Sequence, residues 1–265
     1  MPSSSSSDIL GKVSRRIQRL PGFSWLLSRA QDRSRAGELL GNHERRTKAL
    51  EQFQRCATPQ DYLALTNEIL GAHQLAAEIV PFLEYAQSKK PHRVAEIGTA
   101  MGGTNFLLSH ALREIELMIG VDLFVANQAI LRAFARPGQT LHFVSASSYA
   151  PETVARIGRL LGGQFLDVLF IDGDHTFEGA RKDFAHYRKF VRPGGLIAFH
   201  DIVPDYQTRY GRNTGRWAGD VPVLWQKLKP YYSTREFIES PEQDGLGIGV
   251  LEYDPKVSLP AELGS

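Results

Sequence analysis

An α/β fold with a doubly wound, mostly parallel sheet is predicted for this chain on three observations. Five short apolar runs, Arg93–Ile97, Leu117–Asp122, Leu141–Ser145, Leu166–Ile171 and Leu196–His200, have the length and bounded ends of buried strands. Between them lie stretches with helical periodicity: Thr104–Arg113, Asn127–Ala135, Pro151–Leu161 and Phe177–Val191. The first strand opens into a glycine-rich turn, VAEIGTAMGGT over Val94–Thr104. Alternation of strand and helix implies parallel strands with helices on both faces. A chain of 265 residues, 42% of them hydrophobic, can bury one sizeable core, so one domain with an N-terminal addition is expected.

The addition, residues 1–57, reads as a helical extension, and residues 58–265 as the domain. Ser3–Ser7 is expected to be a disordered lead-in, and short helices from Ile9 to Cys56 should break at Pro21-Gly22 and Gly41-Asn42. The apolar segment Leu20–Leu27 (LPGFSWLL) is expected to dock on protein, with a lipid surface as the alternative. Net charge is only +2, but Lys12, Arg15, Arg16, Arg19, Arg29, Arg33, Arg35, Arg45, Arg46 and Lys48 crowd the first fifth of the chain. A solvated helical face accounts for them, with membrane-surface or polyanion contact the alternative. Because they cluster away from the motifs below, and no recognition module is evident, nucleic acid is not an expected partner.

Cys56 is the only cysteine, which excludes an intramolecular disulfide and a cysteine-rich metal site. No apolar run approaches the roughly 20 residues that cross a bilayer, and the N-terminus carries serines where a signal peptide has its apolar core. A cytoplasmic enzyme fits these features, and a homo-oligomer is expected.

Thr58-Pro59 reads as an N-cap with proline at the first helical position, starting a helix through Tyr62, Leu65 and Ile69. A second helix through Leu75, Ile79, Phe82 and Leu83 leads to a linker, Lys89–His92. Arg192-Pro193-Gly194-Gly195 is a turn before the fifth strand. At the far end, Glu236–Ser240 and Gly247–Tyr253 are strand-like and flank a polar turn, an antiparallel hairpin for the sheet edge.

The motifs sit at strand ends, where ligands bind in such sheets. Gly98, Gly102 and Gly103 let the backbone turn and approach a ligand closely. Asp122 ends the second strand about twenty residues on, as a ribose-binding carboxylate would. The spacing E-x-G-x-x-x-G-G departs from the G-x-G-x-x-G that cradles a pyrophosphate, and Glu96 would repel one. An acidic residue there suits a ligand with a positive charge, and a dehydrogenase is disfavoured. Phe170–His175 (FIDGDH) and Ala198–Ile202 (AFHDI) end the fourth and fifth strands in aspartates and histidines. Asp172, His200 and Asp201 offer oxygen and imidazole donors suited to a divalent cation.

Taken together, EIGTAMGG, FIDGDH and FHD resemble class I S-adenosylmethionine (SAM) dependent methyltransferases, and in particular the cephalosporin-hydroxylase-like and macrolide sugar O-methyltransferase group, over roughly Gln74 to Tyr253. The resemblance implies a Rossmann-like domain that transfers a methyl group from SAM to a hydroxyl of a sugar, glycan or secondary-metabolite small molecule. It also implies that Glu96 and the loop Gly98, Thr99, Met101, Gly102 and Gly103 hold the methionine end, with Asp122 on the ribose, Ser145, Ala146 and Ser147 near adenine, and Asp172 beside the cofactor. Asp172, His200 and Asp201 would hold Mg²⁺ or Mn²⁺; His200 stands where the group has a carboxylate, which favours a softer ion than Mg²⁺. His175 matches the base, with Asp172 as its catalytic partner. The rival is a SAM-binding scaffold or regulatory protein without turnover. The segment Pro204–Asp220, rich in Gly, Arg and aromatics, is expected to be a lid or binding loop.

Overall fold

The computed structural model describes residues 35–264. Ser3–Ser7, Leu20–Leu27, the break at Pro21-Gly22 and the basic residues up to Arg33 lie outside them. Residues 35–40 are helical and end at the predicted Gly41-Asn42 break. Asn42 then caps α1 (His43–Arg55), its side-chain oxygen accepting from the Arg45 amide. Phe53 of α1 meets Phe106, His110 and Phe134 edge-on, with centroids 4.9 to 6.0 Å apart. The described end of the extension is therefore packed into the domain core.

Thr58 caps α2 (Pro59–Ile69) in a reciprocal pair: its hydroxyl accepts from the Asp61 amide at 3.2 Å, and Asp61 accepts from the Thr58 amide at 2.9 Å. Such a cap contributes about 1 kcal/mol. In α3 (Ala76–Ser88) Ile79, Phe82 and Leu83 are wholly buried, as their spacing predicts.

Seven strands follow: β1 (Arg93–Ile97), β2 (Leu117–Asp122), β3 (Thr140–Ser145), β4 (Leu166–Ile171), β5 (Val191–His200), β6 (Ser233–Phe237) and β7 (Ile248–Glu252). They lie in the order β3-β2-β1-β4-β5-β7-β6. The first five are parallel, and β7 runs antiparallel between β5 and β6. Relative to the dinucleotide-binding order 3-2-1-4-5-6, an antiparallel strand has been inserted at the edge. The chain leaves β1 outward through β2 and β3, then returns to β4 on the other side. This places the topological switch point, and hence the crevice, at the carboxyl ends of β1 and β4.

Both faces are covered, by α4 (Gly103–Ala111), α5 (Gln128–Ala133), α6 (Pro151–Leu161), α7 (Phe177–Tyr187), α8 (Tyr206–Tyr210), α9 (Val221–Leu228) and α10 (Ala261–Gly264) together with α1 to α3. Successive strand residues feed opposite layers: Leu169 and Ile171 pack with Phe184, Phe199 and Trp225, while Val168 and Phe170 pack with Phe82, Leu83 and Leu107. That double burial explains why the strands read as continuous apolar runs. The expected fold class stands.

Several boundaries differ from the sequence reading, most by one or two residues and a few by more. The helix after β4 ends at Tyr187, and a single 3-10 turn, Arg188–Phe190, replaces its expected last turn. β5 starts at Val191, not Leu196, because Val191 already pairs with Leu166 while Leu196 pairs with Val168. Asp167 alone opposes Arg192 to Gly195, so the predicted turn exists as a bulge inside the strand, with Gly194 at φ +69°. β6 starts at Ser233, three residues before the expected Glu236, and the hairpin takes the sheet edge as expected.

Candidate active site

The loop after β1 is built from its glycines outward. Gly98 has φ +94°, and a Cβ there would collide with the Asp172 carbonyl. The glycine loop and the acidic loop after β4 therefore touch at this residue, a contact continued by the Asp172 amide, which donates to the Ile97 carbonyl at 2.8 Å. Gly102, at φ +85°, is the N-cap of α4, and a Cβ on it would press on Leu131. Gly103 packs directly against the Gly71 carbonyl, Thr99 is buried, and the Met101 carbonyl accepts from Asn127 Nδ2 at 2.9 Å. These residues shape the loop.

Glu96 has 0% exposure and lies beneath the loop, not on the crevice wall. Its Oε2 accepts from Asn105 Nδ2 at 2.9 Å, and burial raises its carboxyl to about 8. A proton on Glu96 gives this pocket a donor for Thr99 Oγ1 or Asn105 Oδ1, both buried without a partner. The positive-ligand contact expected of Glu96 does not match this placement: the side chain braces Asn105 and the loop from below.

Asp122 ends β2, where its Oδ2 accepts from the Ala100 amide and its Oδ1 from the Phe124 amide, each at 2.9 Å. The amides fix the carboxylate and leave lone pairs for a hydroxyl-bearing ligand. Ser145 pairs with Asp122 across β2 and β3, its hydroxyl accepting from the Val125 amide at 3.2 Å, while the Ala146 amide donates to the Asp122 carbonyl at 2.8 Å. Ser147, Gly98, Asp122 and Asp172 line a crevice of about 410 Å³, within the range of small-molecule sites. Leu123, 75% exposed, and Tyr149 add apolar wall to it. Both escaped the sequence reading, although Leu123 directly follows Asp122. Asp174 accepts from the Thr176 amide at 2.9 Å and from the Tyr149 hydroxyl at 3.1 Å at the crevice edge.

At the ends of β4 and β5 four side chains converge. His175 Nε2 lies 3.5 Å from Asp172 Oδ1 and 3.5 Å from Asp201 Oδ2; His200 Nδ1 lies 3.4 Å and 3.1 Å from the same two oxygens. Asp201 is held by the Leu246 amide, which donates to its Oδ1 at 3.0 Å, and sits at φ +62°, a strained conformation for a residue with a Cβ. His175 Nδ1 donates to the Trp217 carbonyl at 2.8 Å, which turns Nε2 toward the carboxylates. Burial alone would lower the His175 pKa, but Asp172 and Asp201 outweigh it and raise it to about 9. Burial opposes the charge on His200 too, and the same carboxylates carry it well above the usual histidine range. Asp172, which burial alone would raise, is held at about 2 by His200 and His175.

The donor set suits a divalent cation. Oxygen and nitrogen ligands at about 2.1 Å from a small cation stand about 3 Å apart around it, close to the spacing of these atoms. One ligand atom each from Asp172, His175 and Asp201 lie within 4.8 Å of one another. Asp172 and Asp201 of the expected trio belong to this group together with His175, while His200 Nδ1 approaches the same two oxygens at 3.4 and 3.1 Å.

Two buried acids near the site escaped the sequence reading. Glu78 of α3 has 0% exposure; burial raises its pKa, and Gln243 Nε2 donates to its Oε1 behind His200 and Asp201. Asp183 of α7, also at 0%, lies under Gly173 of the crevice floor and is raised by burial to about 7. Both fall on the apolar stripe of their helices, Glu78 four residues before Phe82 and Asp183 four before Tyr187, a spacing that marks them as inward-facing.

A family model described as a methyltransferase domain matches residues 95–202. A protein of Acanthamoeba polyphaga mimivirus, R132, whose own function is uncharacterised, is 34% identical over 162 residues, covering 48% of this chain and 72% of that protein. The chain belongs to the methyltransferase-domain family. The match begins within β1 and ends just past Asp201, so both constellations of this methyltransferase lie inside it, whereas the 204–220 segment and the C-terminal hairpin lie beyond it. Among solved structures, the methyltransferase shares its fold with an O-methyltransferase from Bacillus cereus in complex with SAH (TM-score 0.53, 16% identity, 84% of this chain and 97% of that one). It shares it also with the O-methyltransferase TomG from Streptomyces achromogenes, involved in tomaymycin synthesis and solved with SAM (TM-score 0.51, 15% identity, 75% and 91%).

Proposed function

We propose that this methyltransferase transfers the methyl group of SAM to a hydroxyl oxygen, with a divalent cation held at the ends of β4 and β5, and that the acceptor is a sugar, glycan or secondary-metabolite small molecule. The observation that carries this reading is the placing of the Asp172, His175, His200 and Asp201 cluster directly beside a crevice that Asp122 and Gly98 line. Solved relatives of the same fold are O-methyltransferases carrying SAM or SAH. Residues 58–264 form the unit assigned to catalysis.

In this reading Asp122 binds the ribose hydroxyls, the Gly98 loop receives the methionine end, and Leu123 with Ser147 borders adenine. Asp172, His200 and Asp201 would hold the cation, which when bound supplies positive charge that lowers the pKa of the acceptor hydroxyl. His200 suits the ligand role because it is 3% exposed and cannot reach a substrate. His175, with 19% of its side chain exposed, suits the base: Nδ1–H is fixed on the Trp217 carbonyl, and a cation on the Asp172 and Asp201 oxygens would offset the carboxylate charge that keeps the imidazole protonated, freeing Nε2 to take the hydroxyl proton. The methyl donor is already activated, so orientation and deprotonation are the protein's main tasks.

Calorimetric titration with SAH, with and without Mn²⁺, tests the reading. Micromolar SAH binding that weakens tenfold or more in Asp122→Ala, and a separate Mn²⁺ heat abolished by Asp172→Ala, are the expected results. Absence of SAH binding under every condition overturns it.

A further inference from the structure

We propose that the Trp217 indole is the platform on which the ring of the acceptor lies; the inference rests on the methyl-transfer reading and assigns its acceptor subsite. Trp217 is 63% exposed, yet it is not free: its ring stacks on the His175 imidazole with centroids 5.2 Å apart and planes at 27°. Its carbonyl accepts from His175 Nδ1 at 2.8 Å, and the backbone that follows it is held at two points. The next residue, Ala218, donates its amide to the buried Asp205 Oδ2 at 2.8 Å, and the Asp220 amide donates to the His175 carbonyl at 2.7 Å. Between them Gly219, at φ +58°, sits so close to the His175 carbonyl that no Cβ fits. An indole held this firmly while left in water is an aromatic surface in place before any ligand arrives.

Its position says what it would hold. The crevice has its own exposed apolar wall in Leu123 and Tyr149 and does not include Trp217. An acceptor whose hydroxyl reaches His175 Nε2 and the Asp172 and Asp201 oxygens places the rest of its ring next to the side chain stacked on that imidazole. An indole face favours a ring with an apolar C–H face or an aromatic one. A pyranose and a phenol share that chemistry.

Saturation-transfer NMR on the full chain loaded with SAH, using methyl β-D-glucopyranoside and catechol as probes, tests the platform in wild type, Trp217→Ala and Trp217→Phe. Both substitutions keep the backbone carbonyl that orients His175, so only the aromatic face changes. Expected are transfer to one face of a probe ring in wild type, a loss of at least tenfold in Trp217→Ala, partial retention in Trp217→Phe, and one SAH affinity for all three. Transfer to the glucoside alone identifies the sugar as the ring recognised, and transfer to catechol alone the phenol. No transfer from either probe, or equal transfer in Trp217→Ala, overturns the platform. SAH failing to bind wild type would overturn the cofactor reading instead, a separate readout on the same samples.

Discussion

Asp167 and Asp172 lie at opposite ends of β4 and have opposite surroundings. Asp167 accepts from the His92 and Arg93 amides at 2.8 and 2.9 Å and from Arg192 Nε at 2.7 Å; every partner is a donor at short range. Burial works to raise its pKa, but those donors hold it below the usual carboxylate range. Asp172 meets two imidazoles at 3.4 and 3.5 Å and shares them with a second carboxylate. The same contrast runs across the sheet. At the amino end Arg136 donates to the Ser109 and Leu112 carbonyls at 2.7 and 2.9 Å, closing off helix α4. At the carboxyl end lie Ala100, Asn127, Asp201 and Leu246 with positive φ, and Glu78 and Glu96 with raised pKa values. Short hydrogen bonds from amides and guanidinium groups gather at the end that holds the fold, where Lys90 alone of the described non-glycine residues has a positive φ; the other four, and the long contacts, gather at the end where the crevice lies.

A pair of glycines separates the two ends most sharply. Gly98→Ala drives a Cβ into the Asp172 carbonyl at φ +94°, and a loss of more than about 3 kcal/mol is expected, together with loss of SAH binding. Gly138, at φ +83° in the amino-end loop, has nothing within 4 Å of the place a Cβ would take, so Gly138→Ala should cost about 1 kcal/mol with SAH affinity unchanged. Urea denaturation and calorimetry read both; equal costs would break the comparison.

The aspartates come next. Asp167→Ala strands two amides and a guanidinium, for an expected loss of about 2–3 kcal/mol with Mn²⁺ affinity preserved. Asp172→Ala should lower Mn²⁺ affinity at least 100-fold, whatever its effect on the melting temperature. A metal affinity that follows Asp167 instead would reverse the assignment of the two ends.

The smallest effect is in pH. Glu96 keeps its proton in the fold up to about 8, whereas the unfolded chain releases it above 4.5. The folded state is thus favoured at low pH and loses stability as pH rises between those values, with no further loss above. Asp167 has the opposite sign, its contribution being present above 3.8 and lost only in acid. Between pH 6 and 7.5 the wild type should therefore lose about 2 kcal/mol relative to Glu96→Gln, measured by denaturation at each pH. A parallel pair of curves would show Glu96 ionised in the fold.

The sheet was legible because its strands are buried on both faces, so Val94–Ile97 and Leu166–Ile171 stand out as unbroken apolar runs bounded by turns. Thr58 and Pro59 announced their helix by chemistry that works locally. The Arg192–Gly195 turn was read correctly as a turn and wrongly as a boundary, since a bulge and a loop use the same residues and differ only in what pairs on either side. Of the candidate site, Asp122, Asp172, His175, His200 and Asp201 were brought into view because each sits at a strand end or in the loop just after one, where topology decides the neighbourhood. Glu96 could be located but not interpreted: its position in the chain is that of a ligand contact, and only the packing of Asn105 and Thr99 over it shows that it points down. Glu78 and Asp183 carried a signal in their spacing to Phe82 and Tyr187, whereas the stack of Trp217 on His175 joins two loops far apart in the chain, for which one sequence carries no signal.

The amide that holds Asp201 belongs to Leu246, and the strand that covers the outer edge of β5 follows immediately at Ile248. In order of synthesis, every residue lining the crevice of Gly98, Asp122 and Asp172 has emerged once β4 and its loop are made, about seventy residues before that amide exists. A nascent chain that has reached Val203 thus presents β5 as an open edge, with His200 uncovered and Asp201 free to relax out of its left-handed conformation. On the methyl-transfer proposal, the chain would gain the means to bind its donor well before the means to use it.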